Sequence, residues 1–334
     1  MKAFTIQNLW NEKVRVEKRL PKVRNYISPS DLGGSMIDRY YKMKGEPPTN
    51  PFDERILRVF DAGRLFEWII TRTFAMSGIL LEKQFKISLP ATPDRFEVWG
   101  YGDAIIGGTP NWQMARDRIK TFLNEYKLKL DDEVIESYSM KLIDGLEKTY
   151  PLGIKEKIII EAKSINSMAF WSHKNRDKDD HFLGYDHHKL QTYAYLMGRP
   201  DAHHANIFYI SKDDLCLQEL PVYRTVVLSE AFLNDTRMIT HYIKENITPP
   251  REPDILFNPK KRKYEPNWKA GRSLYLTKIT GIKDQETWEA NFHQELLDVN
   301  RAIKHIDEKK VKDEDKIMIE KYKLEELLKG GDSL

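Results

Sequence analysis

The tripeptide Glu161-Ala162-Lys163 closes a run of three isoleucines, Ile158 to Ile160. Side chains alternate along a strand, so Glu161 and Lys163 project from the face of Ile159, while Ile158, Ile160 and Ala162 face the other way. A carboxylate and an ammonium thus share the end of an apolar strand. An acidic-x-Lys tripeptide is common by chance in a chain with 31% charged residues, so its companions matter. Trp99, Tyr101, Asp103 and Ile105 share one face of an earlier expected strand, with Gly100 and Gly102 on the opposite one. Asp103 is either an acid set among apolar neighbours or the start of a turn towards Gly107-Gly108. Glu67 lies within Ile56, Phe60, Gly63, Glu67, Ile70 and Phe74, the stripe of a core-facing helix. An ionised carboxylate there costs several kcal/mol unless it meets a cation, either a bound metal or a buried Arg or Lys. Downstream, His187, Gln191 and Tyr195 recur every fourth residue and line one side of a helix whose apolar stripe is Leu190, Ala194 and Met197.

The elements that position these residues follow from pattern. Residues 28–31 read as a turn and cap, with a short helix running to Tyr41 and a Pro-rich loop over 45–51. The helix bearing Glu67 starts at Asp53, and strands over 79–89 and 96–106 make a hairpin around the turn 90–95. Helices over 112–126 and 132–148 form an insertion at 107–156, after which strand texture returns at 157–164. A polar loop over 172–184 leads to a helix at 185–197. Strands at 205–210 and 215–220 and a helix at 228–245 follow, closed by Pro249, Pro250 and Pro253. The remaining tail is basic, then helical and highly charged. No internal repeat is visible.

With 334 residues, the chain has room for one large domain, or a catalytic domain of roughly 200 residues with an appendage. The lone Cys216 excludes an intrachain disulfide, a cysteine-rich zinc site and an iron–sulfur cluster held by this chain alone, so any metal must sit on oxygen or imidazole. The N-terminus lacks the features of a signal peptide, no apolar run is long enough for a membrane span, and a cytoplasmic location is expected. A net charge of +3 does not argue for nucleic acid by itself. Local clusters do more: Lys260, Lys261, Arg262 and Lys263, followed by Tyr264, Trp268, Lys269 and Arg272, mix cations with aromatics as single-strand grooves do, or form a solvated basic loop. The pairs His187-His188 and His203-His204, with His173 and His181, lack the spacing and carboxylate of a zinc helix and are read as exposed or core histidines.

Taken in order, Gly63-x-x-x-Glu67, Gly102-Asp103 in a hairpin, Ile160-Glu161-Ala162-Lys163 and Gln191-x-x-x-Tyr195 resemble the RecB-like and phage-exonuclease-like branch of the PD-(D/E)xK nucleases, over residues 28–210. The set also looks like the CRISPR-associated DNA-end nucleases of that superfamily. The resemblance implies an α/β fold: a restriction-endonuclease-like core with a central mixed sheet flanked by helices, over residues 1–250 with the insertion at 107–156. Residues 251–334 would be a basic, then helical extension. It further implies a metal-dependent deoxyribonuclease, with exonuclease action expected, in recombination, repair or phage DNA processing. Asp103, Glu161 and the backbone carbonyl of Ala162 would hold one or two Mg²⁺ or Mn²⁺ ions, with Glu67 a further ligand. Oxygen-only coordination suits these hard cations. Lys163 would orient the attacking water and stabilise developing negative charge, while Gln191 and Tyr195 position the strand. His173, Lys174, Arg176 and Lys178 of the polar loop, with Lys260, Lys261, Arg262 and Lys263, would contact DNA phosphates.

Three departures stand out. Glu67 occupies a place where many RecB-like members have histidine, as phage-exonuclease-like members do. The four cluster cysteines of many relatives are absent, so no iron–sulfur cluster is expected. The insertion replaces a short connection and would form an arch over DNA or a partner-binding surface; the C-terminal helices are a second place for a protein partner. Alternatives are a catalytically silent DNA-binding scaffold of the same fold, whose mark would be a lost catalytic residue, and a restriction-type endonuclease.

Overall fold

Asp53 opens the longest helix of the N-terminal half: its carboxylate accepts the Ile56 N–H at 2.7 Å, satisfying one of the donors that every helix start leaves unpaired. The computed structural model describes residues 5–16, 22–126, 132–172, 183–258 and 261–330. In chain order the helices are α1 (Ile6–Val16), α2 (Met36–Met43), α3 (Glu54–Met76), α4 (Trp112–Tyr126), α5 (Asp132–Thr149), α6 (Ser167–Phe170), α7 (Asp186–Gly198), α8 (Val226–Lys244), α9 (Trp268–Gly271), α10 (Leu276–Thr280), α11 (Gln285–Asp307), α12 (Lys316–Lys321) and α13 (Leu324–Gly330). The strands are β1 (Tyr26–Ile27), β2 (Leu80–Leu89), β3 (Glu97–Thr109), β4 (Ile154–Ile165), β5 (His204–Ser211), β6 (Leu217–Val222), β7 (Ile255–Asn258) and β8 (Lys263–Pro266). Two compact units result, one from Met1–Arg19, Arg24–Gly33 and Asp53–Glu245, the other from Leu20–Val23, Gly34–Phe52 and Asn246–Leu334.

The first unit is α/β, with a mixed six-stranded sheet flanked by helices. β4 and β5 run parallel, and the β2–β3, β3–β4 and β5–β6 pairs are antiparallel. β2 lies along one edge of β3 from Val98 to Ile106. The other edge is divided: β1 pairs at Val98 and β4 from Ala104 onward. Between them, residues 99–103 have no strand partner on that edge among the described residues, and Asp103 is the last residue before pairing with β4 begins.

α4 and α5 interrupt the β3–β4 hairpin, and they enter the core instead of standing clear of it. Trp112, Ala115, Ile119 and Ile143 pack with Ile79, Ala104, Ile106 and Ile160. The Arg118 guanidinium ties α4 to the sheet through Thr109 Oγ1 at 2.8 Å and the carbonyls of Gly78 and Gly108 at 3.2 Å. Strand pairing also continues to Thr109↔Ile154, so the interruption is shorter than the expected 107–156.

Two expectations need correction. The stripe on α3 is buried at Ile70, but Phe60 is 51% exposed, because the first half of the helix has α1 alongside it rather than the middle of the sheet. The turn expected at 28–31 is present as Pro29–Asp31, but its run into the helix up to Tyr41 is interrupted, and α2 begins only at Met36. Gly33 breaks it: its φ is +67°, and a Cβ there would lie 3.0 Å from the backbone of His187.

The second unit has its own core, in which Trp288, Phe292, Val299 and Ile303 of α11 pack with Ile255, Tyr264, Leu276 and Leu324. Residues 34–52, expected in the nuclease domain, belong to this unit. Asp38 of α2 accepts Ser273 Oγ at 2.5 Å and the Leu274 N–H at 3.0 Å, and Tyr41 packs on Tyr275 with ring centroids 5.1 Å apart. Among the described residues no helix is long and apolar enough to cross a membrane.

Candidate active site

The gap on the edge of β3 is filled by a side chain. Asp103 Oδ2 accepts the Ala162 N–H at 2.7 Å, taking the place of a backbone carbonyl where β3 and β4 diverge. In an extended strand the N–H and C=O of one residue point to the same edge, so the Ala162 carbonyl also faces the side of Asp103. From the next residue, Lys163 Nζ reaches back to Glu161 Oε1 at 2.5 Å. Gln191 of α7 donates to the same Oε1 at 2.7 Å and lies 2.9 Å from the Tyr195 hydroxyl. Glu161 is only 2% exposed, and its second oxygen, Oε2, is buried with no hydrogen-bond partner among the described residues. Leaving a buried acceptor unsatisfied costs about 1–3 kcal/mol, more for a charged one.

α3 brings the third acid. A Cβ added at Gly63 would lie 3.4 Å from Ser164 Oγ, so the helix crosses β4 one residue beyond Lys163. One turn later Glu67 is half-buried and accepts from Gln84 Nε2. Gln84 adopts φ +49° within β2, a conformation that turns its amide towards the helix. Behind the cluster, Phe85 covers Gly102, where a Cβ would come within 2.3 Å of the ring, and meets Tyr195 edge-on at 5.8 Å. The glycine at 102 is therefore required by close approach.

Electrostatics follow from this crowding. Burial, then the charges of Glu161 and Glu67, hold the Asp103 carboxyl well above its ordinary range, against the opposing pull of Lys163. Burial also raises Glu161, although the charge and hydrogen bond of Lys163 oppose it. For Lys163, burial favours the neutral amine, but the charges of Glu161 and Asp103 outweigh it and the ammonium is stabilised. Tyr195 is pushed far up by burial and by Glu161, so its phenol keeps its proton. His188, on the next residue of α7 to His187, falls to about 2 through burial, with the charges of Lys163 and His187 adding to it. It is a neutral imidazole, with Nδ1 3.0 Å from the Tyr209 hydroxyl.

Asp103, Glu161, Ala162, Lys163, Gln191, Tyr195 and Glu67 thus come together, whereas the expected phosphate contacts do not join them. His173, Lys174, Arg176, Lys178 and Lys260 lie outside the described residues. In the second unit Lys261 and Lys263 pair with Glu265 at 3.0 and 3.6 Å, and Arg262 pairs with Asp307 at 2.8 Å. Much of the basic charge apparent in the sequence is compensated there. Sequence reasoning missed Gln84, whose role depends on a left-handed backbone, and the aromatic row beside the acids. Tyr26, Trp99 and Tyr101 meet edge-to-face at 5.2 and 5.4 Å, and Lys86 Nζ lies 5.5 Å over Trp99. Alternation already placed Trp99 and Tyr101 on the face of Asp103; Tyr26 arrives through β1.

In ligand type the donor set suits a hard divalent cation. Asp103, Glu161, Glu67 and the Ala162 carbonyl offer oxygen only, and the partnerless Glu161 Oε2 is an acceptor that a cation would satisfy. No protein-family model and no curated protein matches the chain. Among solved structures it is similar to the one described as "Crystal structure of SSO0001", at 13% identity and a TM-score of 0.44, over 83% of this chain and 96% of that one. Similarity at that level assigns neither family nor activity.

Proposed function

We propose that the chain is a divalent-cation-dependent DNA nuclease of the PD-(D/E)xK type, hydrolysing phosphodiester bonds at the cluster of Asp103, Glu161 and Lys163. The observation that carries this reading is the buried, partnerless Oε2 of Glu161 beside a second carboxylate and an ammonium. Such a trio is costly to keep inside a protein unless a cation and an anionic substrate complete it. Mg²⁺ or Mn²⁺ held by Asp103, Glu161, the Ala162 carbonyl and Glu67 would supply positive charge to the scissile phosphate and lower the pKa of water for attack.

The chain's own groups divide the remaining work. Lys163 keeps its proton at neutral pH, so it serves as a donor, holding the attacking water or a phosphate oxygen on which charge develops. Gln191 fixes Glu161 and is steadied by the protonated Tyr195. The row Tyr26, Trp99 and Tyr101, with Tyr101 51% exposed, offers faces on which the bases of a single strand can stack as its backbone approaches Asp103. End-directed cutting follows from the resemblance alone.

The test is incubation of end-labelled linear DNA and closed circles with Mn²⁺, Mg²⁺ or EDTA. The expected outcome is loss of label that requires metal, with circles surviving. Intact substrates under every condition would remove the nuclease reading and favour a DNA-binding scaffold.

A further inference from the structure

Five residues before Glu161 on β4, about 16 Å along the strand, a second cluster of donors converges. Glu156 Oε2 lies 3.2 Å from His203 Nδ1, and His203 Nδ1 lies 3.0 Å from His204 Nδ1. One atom from each residue falls within 4.8 Å of the other two. The sequence reading set this histidine pair aside for want of a carboxylate at helix spacing. The carboxylate comes from the neighbouring strand, which spacing along one element cannot reveal.

The three side chains stand on backbone that is already fixed. The His203 N–H bonds the Lys157 carbonyl at 2.8 Å, and His204 is the register partner of Ile158. Arg224 gathers the preceding turn by donating to the carbonyls of Leu196 at 2.9 Å and of Arg199 and Ala202 at 3.0 Å. The His204 ring stacks on Tyr223 at 5.4 Å and 28°, which sets its plane. Two basic residues of the adjoining segments are engaged elsewhere: Lys157 with Asp201 at 2.9 Å, and Arg199 with Glu82 at 2.6 Å.

Facing Nδ1 atoms of two imidazoles can share only one proton between them. Donors about 2.1 Å from an ion stand roughly 3.0–3.4 Å apart in octahedral or tetrahedral shells, and the two separations that His203 makes, 3.2 Å to Glu156 and 3.0 Å to His204, fall in that range. We propose that Glu156, His203 and His204 form a second metal site, separate from the carboxylate cluster, that takes a borderline transition cation such as Zn²⁺. Two nitrogens and one oxygen suit Zn²⁺ better than Mg²⁺, and solvent completes the shell because Glu156 and His203 are exposed. The ion joins the first residues of β5 to β4 and so braces the strand that carries Glu161.

The experiment is calorimetric titration of the full chain with ZnCl₂, repeated with Co²⁺ to read its visible absorption, for wild type, His204→Ala, Glu156→Gln and Asp103→Asn. Wild type and Asp103→Asn should both bind Zn²⁺. His204→Ala and Glu156→Gln should each weaken it by at least the roughly 10–100-fold that losing even an outer partner costs, with loss of the Co²⁺ bands. If His204→Ala fails to fold, the isosteric Glu156→Gln carries the test. Absence of Zn²⁺ binding by wild type, or binding that survives both substitutions and disappears in Asp103→Asn, would overturn the proposal.

Discussion

The two ends of β4 carry clusters of opposite character. At one end Glu161 is buried, its Oε1 bound by Lys163 and Gln191 and its Oε2 left without a partner. At the other, Glu156 stands in solvent beside two histidines, with more than half of its side chain accessible. The strand is the same, so the difference lies in what covers it. α3 and α7 close over the Glu161 end, and desolvation there makes each charge depend on the others. At the Glu156 end water can serve any group that lacks a partner. Burial thus turns an ordinary acidic residue into one that needs a cation, while exposure permits binding without demanding it.

The sharpest way to break this contrast is to neutralise the buried end. Glu161→Gln keeps the shape and should lower DNA cutting by at least about 100-fold, the scale of losing one group that stabilises the transition state electrostatically. Retained activity would mean that the buried carboxylate is structural. The same contrast predicts that Mn²⁺ at about 100 times its dissociation constant stabilises the protein by roughly 2.7 kcal/mol, by relieving repulsion among Glu67, Asp103 and Glu161. Thermal melts should show the rise in wild type and its loss in Glu161→Gln; an unchanged wild-type midpoint would count against the site. Gln191→Ala, which removes one of the two donors to Oε1, should reduce cutting by roughly 10–100-fold, measured as initial rates at saturating metal.

The smallest effect concerns pH. Asp103 and Glu161 have raised folded-state pKa values, so between the ordinary carboxylate range near about 4 and those raised values the metal-free folded state holds protons that the unfolded chain has released. Stability of the first unit should therefore be fully present below that window and decline as pH rises through it. Denaturant melts of metal-free protein should show the decline, and Asp103→Asn should flatten it. A slope of the opposite sign would mean that Lys163 already compensates both acids.

Much of the site was legible because it is local or periodic. The Glu-x-Lys pair reads from strand alternation, Gln191 and Tyr195 from the four-residue helical step, and α3 from its Asp53 cap. What escaped depends on contacts between distant segments or on backbone geometry. Gln84 reaches Glu67 only because its φ is positive, and Glu156 meets His203 only through the pairing of β4 with β5. Residues 34–52 leave the first unit because Asp38 bonds a segment more than 230 residues away. The basic run at 261–263 looked available for phosphate because its partners, Glu265 and Asp307, include one acid far along the chain. The α4–α5 insertion read correctly as helices, but its buried face was decided by packing against Ile79 and Ile160.

The most direct measurement is to follow cutting and binding together for Lys163→Ala, with Mn²⁺ for cleavage and Ca²⁺ in its place for binding. Cutting should vanish while affinity for DNA stays close to wild type, because one cation among many phosphate contacts contributes little to binding. Equal loss of both would contradict the account and make Lys163 a structural or binding residue.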